Sequence, residues 1–297
     1  MSEDTVLLIG KPGMSQCIAE ALRRSRSRYS LHILTDVDSP GLSDCADSVT
    51  IGAIEDISAI AKWESHIGKK SDFAIVGPEA VLARGAVDFL QNRRRIPCVG
   101  PTRSLARLET KKDFARRLIK QNGIFGNPEF KIFRNTVRIS PYIKSRHAFA
   151  VKPNGLGRGG AVRLFPQDFA VKEDVIRYCE EMLESKAHDV IVFEELLQGE
   201  NGKRSEFSLQ SFFDGATICH MPLAQDFKRP RENDEGPNCG GAGSYSCPDH
   251  GLPFLLPEHI RQAQLLNEQV IRALQNATSE LYRGIIYGSY ILTSKGI

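Results

Sequence analysis

Paired cysteines, long apolar runs and an excess of charge of one sign are all missing from this 297-residue chain. Its seven cysteines, Cys17, Cys45, Cys98, Cys179, Cys219, Cys239 and Cys247, are odd in number and form no Cys-x-x-Cys pair. That argues against a disulfide framework and a zinc site, and fits a reducing compartment. No apolar run approaches the roughly 18 residues needed to span a bilayer. The segment Met1-Ser2-Glu3-Asp4-Thr5 has neither the positive charge nor the apolar stretch of a signal peptide, so a cytoplasmic protein without membrane contact is expected. Lys and Arg number 39 against 36 Asp and Glu, a net charge of +3, too little for a nucleic-acid arm. The seven histidines are scattered without His-x-x-x-His spacing, and His32, inside the apolar run from Leu31 to Leu34, reads as structural.

What is present is globular: 41% hydrophobic and 25% charged residues, at a length that suggests about two domains. Up to residue 101 strand and helix patterns alternate. Val6–Ile9, Leu31–Thr35, Val49–Ile51, Phe73–Val76 and Ile96–Val99 read as strands, with helices over 16–24, 54–67 and 80–91 between them. Alternation of this kind implies a parallel sheet covered on both faces, a doubly wound α/β domain over 1–101. Ligands bind such sheets at the carboxyl ends of the strands. Three of those ends carry glycine here: Gly10-Lys-Pro-Gly13, Gly77-Pro78-Glu79 and Gly100-Pro101. Each reads either as an ordinary turn or as a place where backbone N–H groups approach an anion. Gly10-x-x-Gly13 lacks the full Gly-x-Gly-x-x-Gly spacing, and only Asp36 or Asp38 offers a weak ribose partner, so dinucleotide binding is disfavoured.

The stretch 102–121 reads as one basic helix, with Lys111, Lys112, Arg116 and Arg117 on an ordinary solvated face. Beyond Asn127-Pro128 come strands at Phe130–Phe133, Ala148–Lys152, Val190–Phe193 and Phe207–Phe213, a turn at Asp214-Gly215, and helices over 174–183 and 257–275. That mixture suggests an α+β second domain over 102–297. Its most informative part runs from Val151 through Lys152-Pro-Asn-Gly155-Leu-Gly157-Arg158-Gly159-Gly160. A glycine loop can fold over polyphosphate while Lys152 offers a point charge from a strand. No Gly-Lys-Ser/Thr follows, so it is not a Walker loop. Some forty residues on, Glu194 and Glu195 stand at a strand end, either as a simple cap or as a nucleotide hinge. Lysine strand, glycine loop and diacid strand, in this order, resemble the nucleotide cleft of the ATP-grasp superfamily.

Longer motifs sharpen the resemblance. Gln225-Asp-Phe-Lys-Arg229 with Asp234–Ser246, Val76-Gly-Pro-Glu-Ala80 and Val99–Lys112 are similar, in the same order, to the phosphoribosylamine-glycine ligases (glycinamide ribonucleotide synthetases), closest to the archaeal type. The resemblance implies a Rossmann-like pre-ATP-grasp domain and an incomplete ATP-grasp domain, with a lid subdomain at about 128–195. It implies ATP and Mg²⁺ as cofactors, and ligation of glycine to 5-phosphoribosylamine through a glycyl phosphate. Lys112 and Lys152 match the phosphate lysines, Gly155, Gly157, Arg158 and Gly159 the lid loop, and Glu194, Glu195 and Leu196 the adenine hinge. The ribose carboxylate is either Glu200 or Glu206. Asp226 and Lys228, with Pro237, Asn238, Gly240 and Gly241, match the substrate cradle, facing Gly10, Gly13, Gly77, Pro78 and Glu79. Without the resemblance Lys228 and Arg229 read equally as surface charges.

Three departures qualify this expectation. The family loop Gly-x-Gly-Gly-Arg-Glu-His is here Gly10-Lys-Pro-Gly-Met-Ser-Gln16, leaving Lys11 and Ser15 to contact phosphate. A lid lysine is absent at Gly159-Gly160-Ala161, with Arg158 its only replacement. The strand read over 284–293 turns at Ser294–Gly296 without the family's return strand and its Glu-x-Asn metal ligands; Ser289 alone does not hold Mg²⁺. The chain by itself is therefore expected to be inactive. It would be a piece of a longer ligase, or be completed by a second chain that supplies the strand and a C-terminal domain. The alternatives are a non-catalytic nucleotide-binding or complementing subunit, and an ATP-grasp carboxylate-amine ligase with another acceptor.

Overall fold

The computed structural model describes all residues except 1–3, 69, 157–160, 185–187, 200–204, 233–234, 237–238 and 240. It divides into two compact units. One is Met1–Arg107 with Phe213–Ala216 and Thr278–Ile285, and the other comprises Leu108–Phe212, Thr217–Ala277 and Ile286–Ile297.

The first unit is built on a five-stranded parallel sheet of β1 (Asp4–Ile9), β2 (Tyr29–Thr35), β3 (Ser48–Ile51), β4 (Phe73–Val76) and β5 (Cys98–Val99), in the order β3-β2-β1-β4-β5. Successive residues of β1 point to opposite faces, and both faces are covered. Leu7 and Ile9 join Leu34, Trp63, Val81 and Val87 on one side. Val6 and Leu8 join Ala19, Leu31, Ile33 and Leu42 on the other. This explains why β1 reads as an unbroken apolar run. The helices are α1 (Pro12–Arg23), α2 (Pro40–Ser43), α3 (Ile57–His66), α4 (Glu79–Arg84) and α5 (Ala86–Phe89). The single helix expected over 80–91 is broken at Gly85, which takes φ 87, and a π-turn follows at Leu90–Arg94. His32 Nδ1 lies 2.8 Å from Ser48 Oγ, a structural link between neighbouring strands.

In the second unit the basic segment is two helices, α6 (Arg107–Thr110) and α7 (Lys112–Gln121). Lys111 between them is extended, at φ −138 and ψ 92, which ends the continuous helix expected over 102–121. Next come β6 (Phe130–Phe133), α8 (Ile139–Lys144), β7 (Phe149–Pro153), β8 (Arg163–Phe165), α9 (Lys172–Glu184) and β9 (Ile191–Glu195). The four strands form an antiparallel sheet in the order β6-β9-β7-β8. One face packs Phe149, Val151, Ile191 and Phe193 against Ile139, Ile143, Val175 and Cys179 of the two helices. The side chains that alternate with these, Lys152 and Glu194 among them, occupy the other face.

A second sheet holds β10 (Glu206–Phe213), β11 (Ile218–His220) and β14 (Gly284–Ile291), in the order β11-β10-β14. β12 (Gln225–Phe227) pairs with β13 (Gly243–Tyr245) in register Asp226↔Ser244. The long helix α10 (Pro257–Thr278) closes the core of Phe207, Leu209, Ala263 and Leu292. The turn expected at Asp214-Gly215 is present, with Asp214 Oδ1 accepting a hydrogen bond from Ala216 N.

Candidate nucleotide and substrate sites

In the second unit a buried carboxylate organises a cluster of cations. The register Ala150↔Glu194 and Lys152↔Val192 makes Lys152 and Glu194 diagonal neighbours on one sheet face. The Lys152 ammonium donates to Glu194 Oε2 at 2.6 Å. Arg116, four residues after Lys112 and so on the same face of α7, takes the same carboxylate in a bidentate grip. Its Nε lies 2.7 Å from Oε1 and its Nη2 3.0 Å from Oε2. Asn127 brackets that arginine, accepting from Nη1 at 3.4 Å and donating to its carbonyl at 3.1 Å. Glu194 is only 3% exposed. Burial alone would raise its carboxyl, but Lys152 and Arg116 outweigh that, and the group is held below the usual carboxylate range.

Lys112, the first residue of α7, donates to the Gly155 carbonyl at 2.7 Å. Burial lowers its pKa; Glu109 and Glu194 oppose the shift, and the nearby Lys152 ammonium adds to it. The two ammonium groups therefore lie close enough to repel each other. Asn154 fastens the start of the glycine loop to α7, its Oδ1 accepting from Asp113 N at 3.2 Å and its Nδ2 donating to Asp189 at 3.2 Å. Glu195 points its carboxylate back at Glu129 N, 2.8 Å away, fastening β9 to the start of β6. Leu196 follows it, half-buried. Gly157, Arg158, Gly159 and Glu200 lie outside the described residues.

A second polar cluster lies elsewhere in the same unit. Asp226, Lys228, Cys239, Gly241, Gly243 and Ser244 line an open cavity of about 450 Å³. Gly241 and Gly243 have φ of 117 and 153, and a Cβ on either would meet nothing within 4 Å, so bare backbone faces the cavity. Asp226 accepts from the Tyr287 hydroxyl at 3.1 Å, and Lys228 pairs with Glu206 at 3.4 Å. Burial pushes the Tyr287 phenol up; Ser208 and Lys228 pull it down and Asp226 pushes it up further, so it stays a neutral donor at pH 7. Arg229 is turned to the Gly236 carbonyl, 2.6 Å away. Pro237, Asn238 and Gly240 lie outside the described residues.

In the first unit the strand order reverses at β1, between β2 and β4, and Gly10 and Gly77 follow the carboxyl ends of β1 and β4. Gly77 N donates to Ile9 O at 3.1 Å, so the two loops are adjacent. α1 begins there at Pro12, with Lys11 and Gly13 exposed. Ser15 is fully buried, its hydroxyl has no hydrogen-bond partner, and it fills the space a Cβ on Gly10 would need. The Met14 sulfur sits 2.8 Å from where a Cβ on Gly77 would be. Pro78 caps α4 and Glu79 opens it, exposed. Gly100 serves packing: a Cβ on Gly284 would come within 3.1 Å of its backbone.

Residues 4–109 match the phosphoribosylglycinamide synthetase N domain, and residues 110–297 match the ATP-grasp (A) domain of the same enzyme. The chain belongs to the phosphoribosylglycinamide synthetase family. Phosphoribosylamine–glycine ligase from Methanosarcina barkeri is 35% identical over 291 residues, covering 98% of this chain and 65% of the relative. The chain thus spans about two thirds of that protein's length. A crystal structure of phosphoribosylamine–glycine ligase from Thermotoga maritima superposes with a TM-score of 0.76 at 22% identity, over 98% of this chain and 66% of that one. N5-carboxyaminoimidazole synthetase from Staphylococcus aureus, complexed with ADP, gives 0.69 at 14% identity, over 99% and 68%. Both structures share the fold of this chain.

Within that family fold, Lys112, Lys152, Gly155 and Glu194 stand together, and Asp226, Lys228, Glu206 and Gly241 form a second group. Arg116, Asn127 and Tyr287 were not expected as site residues. In the sequence Arg116 reads as part of a solvated face, and its spacing of four from Lys112 is the available signal. Among the described residues no three His, Cys, Asp or Glu side chains gather where they could hold a metal, so the Mg²⁺ expected from the resemblance has no assigned ligands here. Among the described residues, no helix is long and apolar enough to cross a membrane.

Proposed function

We propose that this chain carries the nucleotide and amino-acid sites for ATP-dependent ligation of glycine to 5-phosphoribosylamine, which gives glycinamide ribonucleotide, ADP and phosphate. The observation that carries the reading is the pairing of Lys152 and Arg116 on one buried carboxylate, with Lys112 close by on the Gly155 carbonyl, in a family whose second domain is an ATP-grasp domain. ATP supplies the phosphoryl group that makes a glycine oxygen a leaving group. The residues of this chain bind and orient. Lys112 and Lys152 meet phosphate oxygens as point charges, while the Gly155 carbonyl is the partner a phosphate oxygen would replace on Lys112.

The cavity beside Asp226 suits a small zwitterion. Asp226 takes an ammonium, Lys228 takes a carboxylate, and the glycine backbone at 241 and 243 lines the wall. Tyr287 holds Asp226 in place as a neutral donor. At the end of β1, the orphaned Ser15 hydroxyl and the start of α1 suit the phosphate of the amine substrate. Adenine meets the backbone after Glu195, and ribose a carboxylate, Glu200 or Glu206.

Isothermal calorimetry with ADP, and separately with glycine, tests the reading. Saturable ADP binding that is lost in Lys152→Met supports it. ADP binding unaffected by that substitution, or no ADP binding at all, overturns it.

A further inference from the structure

Lys152 does not stand alone on its strand. Its ammonium rests on Glu194 Oε2, and that oxygen also receives Arg116 Nη2, while Arg116 Nε takes Oε1. A carboxylate held by one lysine can rotate about its terminal torsion. One held by a bidentate guanidinium cannot, because the fork fixes the plane of both oxygens. Asn127 fixes the fork in turn, touching both the guanidinium and the backbone carbonyl of the same arginine. The chain of contacts runs from α7 through Arg116 and Glu194 to Lys152, and α7 also carries Lys112 at its first position.

We propose that Arg116 is a positioning residue for phosphate recognition: by occupying both oxygens of Glu194 it fixes the carboxylate that aims the Lys152 ammonium. It also draws off part of the Glu194 charge, so that Lys152 meets an incoming phosphate less neutralised by its own partner. The inference rests on the nucleotide-binding reading above. It assigns to Arg116 an effect on phosphates and none on the nucleoside.

The test compares ADP with adenosine, by calorimetry, on wild type, Arg116→Met and Arg116→Lys. With the Glu194 carboxylate no longer fixed, ADP affinity should fall by about tenfold in Arg116→Met. Adenosine affinity should stay within about threefold of wild type, and Arg116→Lys, which restores the charge but not the fork, should lie between for ADP. Equal losses for ADP and adenosine would show a merely structural role and overturn the proposal, as would unchanged ADP affinity. Should Arg116→Met fail to fold, the same ADP-to-adenosine ratio in Arg116→Lys decides. If wild type binds neither ligand, the nucleotide reading itself has failed, whereas a wild type that binds ADP beside an Arg116 variant that binds it equally well refutes only this inference.

Discussion

Glu194 and Glu206 are both strand glutamates that pair with a lysine, yet their surroundings differ at every point. The Glu194 side chain is 4% exposed and receives three charged hydrogen bonds from two cations, none longer than 3.0 Å. The Glu206 side chain is 41% exposed and meets one ammonium, itself 40% exposed, at 3.4 Å. Water competes far more for the second pair than for the first, whose carboxylate is shielded. The Glu194 cluster is thus held by its own short hydrogen bonds, while the ion pair beside the Asp226 cavity is longer and more open to water. A site that must hold a multiply charged chain gains from fixed cations. A cavity that exchanges a small zwitterion, the role proposed for the one beside Asp226, gains from weak internal pairs.

The largest effect is expected on the buried side. Glu194→Ala leaves Arg116 and Lys152 without their anion inside the protein, and should cost about 3–5 kcal/mol of stability, read by urea denaturation. In the wild type the depressed Glu194 carboxyl contributes stability that is complete above the unfolded-state carboxyl value and is lost as pH falls through the lower folded value. Glu194→Gln should remove that part of the acid limb; an unchanged acid limb would contradict the account.

A smaller effect concerns Lys112. Burial holds its pKa below the ordinary lysine value, so its charge is lost earlier than that of exposed lysines as pH rises. ADP affinity should fall through this window, with proton uptake on binding there, and Lys112→Arg, which keeps its charge, should push the fall to higher pH. Calorimetry in buffers of different ionisation enthalpy reads both quantities. On the open side, Asp226→Asn should weaken glycine binding by about tenfold, the scale of one charged hydrogen bond, with ADP binding unmoved, which would separate the two sites. Smallest of all, Glu206→Gln should change stability by no more than about 1 kcal/mol; a loss as large as that of Glu194→Ala would erase the contrast.

Much of this was legible in the chain itself because the signals are local. The alternating runs at 6–9, 31–35 and 73–76 gave the parallel sheet, and Gly10 and Gly77 stand where its order reverses. Lys152, the glycine-rich run and Glu194 follow one another within 42 residues of sequence. What stayed hidden depends on partners far away in sequence. Arg116 looks solvated until Glu194, 78 residues later, is folded against it, and Tyr287 finds Asp226 across 61 residues. The helix break at Lys111 was equally invisible, since no glycine or proline marks it. Gly100 shows the converse: it resembles the other strand-end glycines, yet close approach of Gly284 uses it for packing.

The most direct test is a crystal structure of the protein with ADP. The account predicts diphosphate oxygens on the ammonium groups of Lys112 and Lys152, with the Gly155 carbonyl released from Lys112 and Arg116 still bridging both oxygens of Glu194. A diphosphate bound away from this cluster, with Lys112 still donating to Gly155, would contradict it.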